Sequence, residues 1–189
     1  MNANRTLILN TLLIVILFMS CKKEDNTPLY IPPPYEGQSY QGGIIVYVLN
    51  AGDIGYDANV THGIIAATSD QGTVKWGCSG TGISGADGTA IGTGAENTID
   101  IMNGCSTAGI AARLCEDLVL GGYSDWYLPS LDELNQLYIY KTAIGNFADL
   151  YWSSTEDDNL NAWRLNVNNG NQYSYGKGGN THVRAVRSF

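Results

Sequence analysis

Few residues in this chain could do chemistry, so they can be weighed one at a time. Only two histidines occur, His62 and His182, which excludes a zinc site built from several imidazoles. No nucleophile elbow, phosphate loop or dinucleotide fingerprint is present, and no cofactor or metal is expected. Asp53, Asp57 and Asn59 offer oxygen atoms, but their spacing matches no calcium loop and reads as a turn. Ser153, Ser154 and Thr155 follow Trp152, where small hydroxyls at a strand end are expected to be structural. Asp132 and Glu133 are adjacent, yet Glu133 suits a helix cap better than catalysis. Asp125 with Glu156 or Asp157 is the remaining hydrolytic arrangement, since a glycoside hydrolase needs two carboxylates about 5–10 Å apart. The expectation is a protein without catalytic residues, with glycoside hydrolysis as the enzymatic alternative.

The four cysteines carry more information. Residues 1–20 have the form of a signal peptide: Arg5, then an apolar run over 7–19, shorter than the ~20 residues a membrane-spanning helix needs. Phe18-Met19-Ser20-Cys21 resembles a lipobox, making Cys21 the expected lipidation site. Lys22-Lys23-Glu24-Asp25 is similar to signals that send lipoproteins to the outer face of the outer membrane. Residues 21–39 hold four of the five prolines and read as a semi-rigid tether. An exported chain can oxidise a cysteine pair. Cys115 falls on the buried side of a helical pattern, so Cys78 and Cys105, both in glycine-rich loops, are the expected disulfide.

Residues 40–189 suffice for one domain with its own core. Beyond Cys21 there are nine basic against eighteen acidic residues, a formal charge of −9. That balance disfavours nucleic acid, which rewards clustered Lys and Arg. Gly, Tyr and Asn are abundant and only 15% of residues are charged, a composition of loops and β structure.

The elements that would position these residues fall into three stretches. Residues 43–49 and 62–68 are apolar runs suited to buried strands. Thr93-x-x-Glu96 and Ser130-x-x-Glu133 are capping boxes, predicting helices over 97–102 and 131–140, with another over 107–120 stopped by Gly121-Gly122. Over 162–168 the pattern alternates, Trp163, Leu165 and Val167 against Arg164, Asn166 and Asn168. Asn169-Gly170 predicts a two-residue hairpin turn, pairing Asn168 with Asn171, Asn166 with Tyr173 and Arg164 with Tyr175. Trp163, Leu165 and Val167 would hold the hairpin to the core. Residues 183–189 would close the chain as one buried strand.

Several of these segments together resemble a known family. Gly122-Tyr-Ser-Asp-Trp-Tyr-Leu-Pro-Ser130, Glu133-Leu134, Tyr151-Trp-Ser-Ser-Thr155, Ala162-Trp163 and Val183-Arg-Ala-Val-Arg187 look like the Lcl C-terminal domain family, named for part of a bacterial collagen-like adhesin. The resemblance implies an α+β, C-type-lectin-like mixed fold with short helices in the middle and a C-terminal hairpin plus final strand. It implies a binding role, toward sulfated polysaccharides in that adhesin. Formylglycine-generating relatives of the fold use cysteines near the C-terminus; here the last is Cys115, so that activity is not carried over. The C-terminal frame is also similar to bacterial lipoproteins diversified by retroelements, in which asparagine codons are rewritten. Seven of the seventeen asparagines lie within the last thirty-nine residues.

Together these readings describe a surface-anchored lipoprotein that binds an extracellular glycan or protein. Arg164, Asn166, Asn168, Tyr173 and Tyr175 on the hairpin form the expected site, with Asn159, Asn161, Asn180 and His182 on flanking loops or strand ends. Tyrosine supplies rigid amphipathic contact area and asparagine adaptable hydrogen bonding, as in antibody loops. A structural or adhesive cell-surface subunit is the other non-enzymatic alternative.

Overall fold

The computed structural model describes residues 32–147 and 149–189; the expected signal peptide and Cys21 lie outside the described residues. The folded unit runs from Pro33 to Phe189. It therefore includes part of the expected tether, because the Gly37 amide already donates to the Ile45 carbonyl (2.7 Å) and Ile45 returns a bond to Gln38 (2.9 Å).

Two sheets share the unit. The first has the order β1–β2–β3–β9, with β1 Ser39–Tyr40, β2 Gly43–Val48, β3 Gly63–Ala67 and β9 Val186–Ser188. The near-continuous apolar runs of β2 and β3 bury both faces of these strands. Ile45 and Ile65 enter one apolar cluster, and Ile44, Val46, Ile64 and Ala66 enter the other. This sheet is the divider between the two halves of the core.

The second sheet has the order β4–β8–β5–β6–β7: β4 Gly72–Lys75, β5 Leu150–Glu156, β6 Asn161–Asn166, β7 Gln172–Gly176 and β8 Asn180–Val183. Its pairs are antiparallel except β5 with β8, which meet in parallel at Tyr151 and His182. The expected closing strand is in fact two strands in two sheets. The chain changes sheets at Arg184 and Ala185, where Arg184 is fully buried and donates to Asp70 Oδ1 (2.8 Å), Ala67 O (2.9 Å) and Asn146 O (2.8 Å). A buried guanidinium requires such partners, and meeting them breaks the strand.

The helices lie between β4 and β5: α1 Gly94–Gly104, α2 Ala111–Glu116, α3 Leu131–Ile139 and the short α4 Lys141–Ile144. For α3, Ser130 and Glu133 form the full reciprocal capping box. Thr93 does not cap α1; its hydroxyl donates to the Ala90 carbonyl instead (2.8 Å), and the helix starts three residues earlier than expected. The α2 helix is shorter than its apolar pattern, because Gly109 adopts φ +65° and Ile110 is extended. Arg113 of α2 donates to the Met102 and Cys105 carbonyls at the end of α1, satisfying acceptors a helix terminus leaves open. The helix ends at Glu116, before the expected glycine stop; Gly121, at φ +66°, instead lies against Gly42, where a Cβ on Gly42 would sit 2.8 Å from the Gly121 Cα.

Cys78 and Cys105 are disulfide-bonded, with Cα atoms 5.8 Å apart. The bond ties the loop after β4 to the end of α1. Cys115 is a buried free thiol.

Candidate ligand-binding surface

Three strands in the same sheet set the character of the C-terminal surface. The middle one, β6, pairs with β5 on one side and β7 on the other. Residues 151–155 of β5 are all buried, whereas residues 172–175 of β7 are all exposed. One face of β6 places Leu165 in the apolar cluster with Leu134 and Leu137 of α3; Val167 joins it from the turn. Trp163 lies on this face too, but it is half-buried and outside both clusters. It does not carry the anchoring role expected of it; Leu165 and Val167 do.

The other face changes from core to surface within a few residues. Trp152 and Ala162 are fully buried in the second apolar cluster, and the Trp152 indole donates to the Val74 carbonyl (3.0 Å). The Tyr175 ring lies 5.9 Å from that of Trp152. The Arg164 guanidinium carbon is stacked 3.4 Å from the centre of the Tyr175 ring, a geometry worth about 0.5–2 kcal/mol depending on desolvation. Tyr173 is directly across the ladder from Arg164 and is 40% exposed, with Tyr175 at 39%. Arg164 Nη1 reaches Thr181 Oγ1 at 3.5 Å, while its buried Nε has no partner among the described residues. Lys177, Arg184 and Arg187 are each matched with a carboxylate. Arg164 has no carboxylate partner among the described residues.

The hairpin register differs from the expected pairing by two residues. Arg164 faces Tyr173, Ala162 faces Tyr175 and Leu165 faces Gln172. The turn is longer than Asn169-Gly170: Asn166 N–H donates to Asn171 O (2.8 Å), and Asn166 O accepts from Gly170 N–H (2.7 Å). This is a four-residue loop closed by a left-handed Gly170, φ +78°, a common alternative to the two-residue turn. The turn is set at Asn166, whose Oδ1 accepts the Asn168 amide (2.9 Å) and whose carbonyl accepts from Gly170, while Val167 donates to the Asp149 carbonyl (2.9 Å) and enters the core. A shift by two preserves the faces, so Arg164, Tyr173 and Tyr175 still share one side.

The remaining candidate residues divide. Asn166 Oδ1 accepts the Asn168 amide (2.9 Å) and shapes the turn, with Asn168 exposed at its tip. Asn161 Nδ2 donates to both Asp158 oxygens (3.1 Å each), holding the β5–β6 turn. Asn159 is exposed there, and its carbonyl accepts from Gly80 N–H (2.8 Å). Asn180 is exposed at the first position of β8, a strand end, where it pairs with Lys75. His182 is separated from the group: its Nδ1 is 3.0 Å from Asp70 Oδ2, which also accepts from the Tyr151 hydroxyl (3.0 Å) and faces the Arg184 guanidinium. Burial beside Asp70 pushes the Tyr151 hydroxyl up to about 12.

Trp152 and Thr181 are buried supports of this surface that residue spacing alone does not single out: the Trp152 ring lies near Tyr175, and Thr181 meets Arg164. The alternation of β5 against β6 was the available signal for Trp152; Thr181 depends on the non-local β4–β8–β5 arrangement. The carboxylates considered for hydrolysis are otherwise engaged. Asp125 takes a two-point contact from Arg187 (2.7 and 2.8 Å), whose hydrogen bond holds its carboxyl below the usual range. Glu156 pairs with Lys177 and accepts the Ile83 amide, and Asp157 accepts from Ser174. Among the described residues there is no cluster of three or more metal-ligating side chains and no helix long and apolar enough to cross a membrane.

The fold is thus a mixed α+β unit in which β6 and β7 place a half-buried arginine beside two exposed tyrosines. Residues 68–187, more than half the chain, match the Lcl C-terminal domain family, and the chain belongs to that family. A search of curated proteins returns no match. Among solved structures, the chain is similar in fold to a fimbrial protein from Bacteroides ovatus, at 17% identity and a TM-score of 0.52. The similarity covers 76% of this chain and 43% of that one, so this chain spans less than half of its length.

Proposed function

We propose that this protein is a surface-anchored, adhesin-like lipoprotein that binds an extracellular glycan or protein without catalysing a reaction. The observation that carries the reading is the group formed by Arg164, Tyr173 and Tyr175. It is a stacked guanidinium without a carboxylate partner among the described residues, beside two partly exposed phenols on the edge strand β7. Burial of an aromatic with a charge-assisted hydrogen bond beside it is the usual composition of a binding hot spot. Family membership supports an adhesive role, and the order of sheets and helices suits a C-type-lectin-like arrangement. The leader and Cys21 support a lipid anchor, and the residues after it support display at the cell surface.

The same surface suits sequence diversification. Exposed positions 159, 168, 173, 175 and 180 can change side chain while the buried Ala162, Leu165 and Val183 hold the backbone. Sequencing the locus across related isolates tests this: substitutions should concentrate at the exposed positions and spare the buried ones. An even spread over both sets would remove diversification from the reading. Binding itself is tested by applying the purified chain to arrays of glycans and matrix proteins, with Arg164→Ala and Tyr175→Ala in parallel. A ligand bound equally by both variants would place the site elsewhere.

A further inference from the structure

The outer edge of β7 is an open hydrogen-bonding template. The bonds that flank the hairpin fix its phase: Asn166 N–H donates to Asn171 O, and Lys177 N–H donates to Leu160 O (2.8 Å each). Tyr173 and Tyr175 therefore direct their main-chain groups toward β6, and Gln172, Ser174 and Gly176 direct theirs outward. Among the described residues, only the Gly176 carbonyl of these outward groups has a main-chain partner, the Gly179 amide (2.9 Å). β7 is the last strand of its sheet. Natural edges are ordinarily guarded by lysine, proline, a bulge or a covering segment. Gln172-Tyr-Ser-Tyr-Gly176 has no charge and no proline, pairs with β6 without a register shift, and exposes residues 172–175 in full succession.

We infer that this edge pairs with β7 of a second copy of the chain, antiparallel and centred on Ser174. The strand is its own complement in that arrangement. Ser174 exchanges both main-chain bonds with the partner's Ser174, and Gly176 donates to the carbonyl of the partner's Gln172. On one face Tyr173 then stands opposite the partner's Tyr175, in both directions, and such aromatic cross-strand pairs are stabilising. No like charges meet within the strand. A two-fold axis makes the contact isologous and closed, so it yields a dimer rather than a fibre. The two sheets become one, and the Arg164–Tyr175–Tyr173 surfaces of both copies lie side by side as a double platform. The inference stands apart from the proposed ligand, because it rests on main-chain groups and not on Arg164.

The acidic balance of the chain opposes the meeting of two copies, and Asp157, beside Ser174, adds to that opposition near the axis. Self-association should therefore strengthen as salt screens the charges.

The test uses the full-length chain carrying Cys21→Ser. Directly opposed residues in a hydrogen-bonded antiparallel pair have Cα atoms about 5.5 Å apart, within disulfide reach. Ser174→Cys should cross-link to itself under mild oxidation. Gln172→Cys alone should not, because it faces the partner's Gly176, whereas Gln172→Cys with Gly176→Cys should. A Cβ at Gly176 meets nothing within 4 Å, so the second cysteine fits. Ser174→Pro removes an outward N–H without touching the β6 ladder. It should leave the thermal midpoint near that of the parent and abolish the concentration-dependent dimer in sedimentation velocity. The inference is overturned if the chain stays monomeric across the concentration series and Ser174→Cys cross-links no faster than the exposed control Val119→Cys. It is equally overturned if Ser174→Pro folds and still dimerises. Loss of ligand binding in Tyr173→Ala with the dimer intact would concern the proposed ligand surface alone.

Discussion

β5 and β7 flank the same strand and are built from similar residues, yet one is core and the other is surface. Tyr-Trp-Ser-Ser-Thr in β5 and Tyr-Ser-Tyr in β7 both mix aromatics with hydroxyls. In β5 every hydroxyl is tied to the surrounding structure. Ser153 donates to the Trp163 carbonyl (2.8 Å), Ser154 Oγ accepts from Asn97 Nδ2 (3.1 Å), and Thr155 donates to the Gly88 carbonyl (2.8 Å). These bonds allow burial, since an unpaired hydroxyl there would cost about 1–3 kcal/mol. In β7 the tyrosines have no such enclosure. Position in the sheet, not composition, separates core from exposed surface, and substitutions on either side of β6 should reveal it.

The largest effect should come from the β5 side. Trp152→Ala removes an indole with no exposed surface and leaves the Val74 carbonyl without its donor. The loss should be about 3–5 kcal/mol, read from urea unfolding. A loss below that of Trp163→Ala would reverse the assignment of the two indoles. Breaking the Cys78–Cys105 bond with the double serine variant should cost about 3–4 kcal/mol, from the loop it closes in the unfolded chain. Cys115 should then remain unreactive to thiol reagents until unfolding, because burial pushes its thiol well above the usual range.

A smaller, pH-dependent effect belongs to Glu133. Its carboxylate accepts from the Ser130 amide (2.8 Å) and the Gly92 amide (2.9 Å), joining α3 to the loop before α1. Burial raises its pKa from 4.5 to about 7, against the opposing pull of backbone amides at Ser130, Gly92 and Gly94. Between those values the folded state holds a proton that the unfolded state has released. The contribution is thus present in full at acid pH and declines as pH rises toward 7. Unfolding measured at pH 5 and pH 8 should show this decline in the parent and a flatter profile in Glu133→Gln. A parent profile that rises through this window would show the carboxylate to be stabilised rather than strained by its site.

These expectations differ in how much of each was legible beforehand. The α3 cap, the hairpin and the alternation of Arg164 with Leu165 are local, so spacing alone revealed them. The pairing register was not: the turn is a four-residue loop whose first residue, Val167, is held by the Asp149 carbonyl and the core. Trp163 looked like an anchor by hydrophobicity, but α3 packs against Leu165 and Val167 instead. His182 was grouped with the tyrosines through nearness in sequence; a strand crossing places it with Asp70 and Tyr151. In each case the missing information was a contact between distant segments.

The smallest effect on stability should be the largest on binding. Tyr173 is exposed on β7, and among the described residues its hydroxyl meets only the Asn171 side chain (3.2 Å), itself exposed. Tyr173→Ala should cost less than about 0.5 kcal/mol, as exposed substitutions ordinarily do. Tyr175→Ala should cost somewhat more, because its ring also packs against Arg164 and Gly179. Both should lose ligand in surface plasmon resonance, since a truncated phenol leaves neither contact area nor a hydroxyl to offer. Tyr173→Phe separates those two contributions: it keeps the ring and removes only the hydroxyl. Binding retained by Phe and lost by Ala would assign Tyr173 to stacking, whereas loss in both would assign it to hydrogen bonding. Unaltered binding in Tyr173→Ala would instead mean that exposure on β7 does not by itself make a binding residue, and the contrast with β5 would lose its functional half.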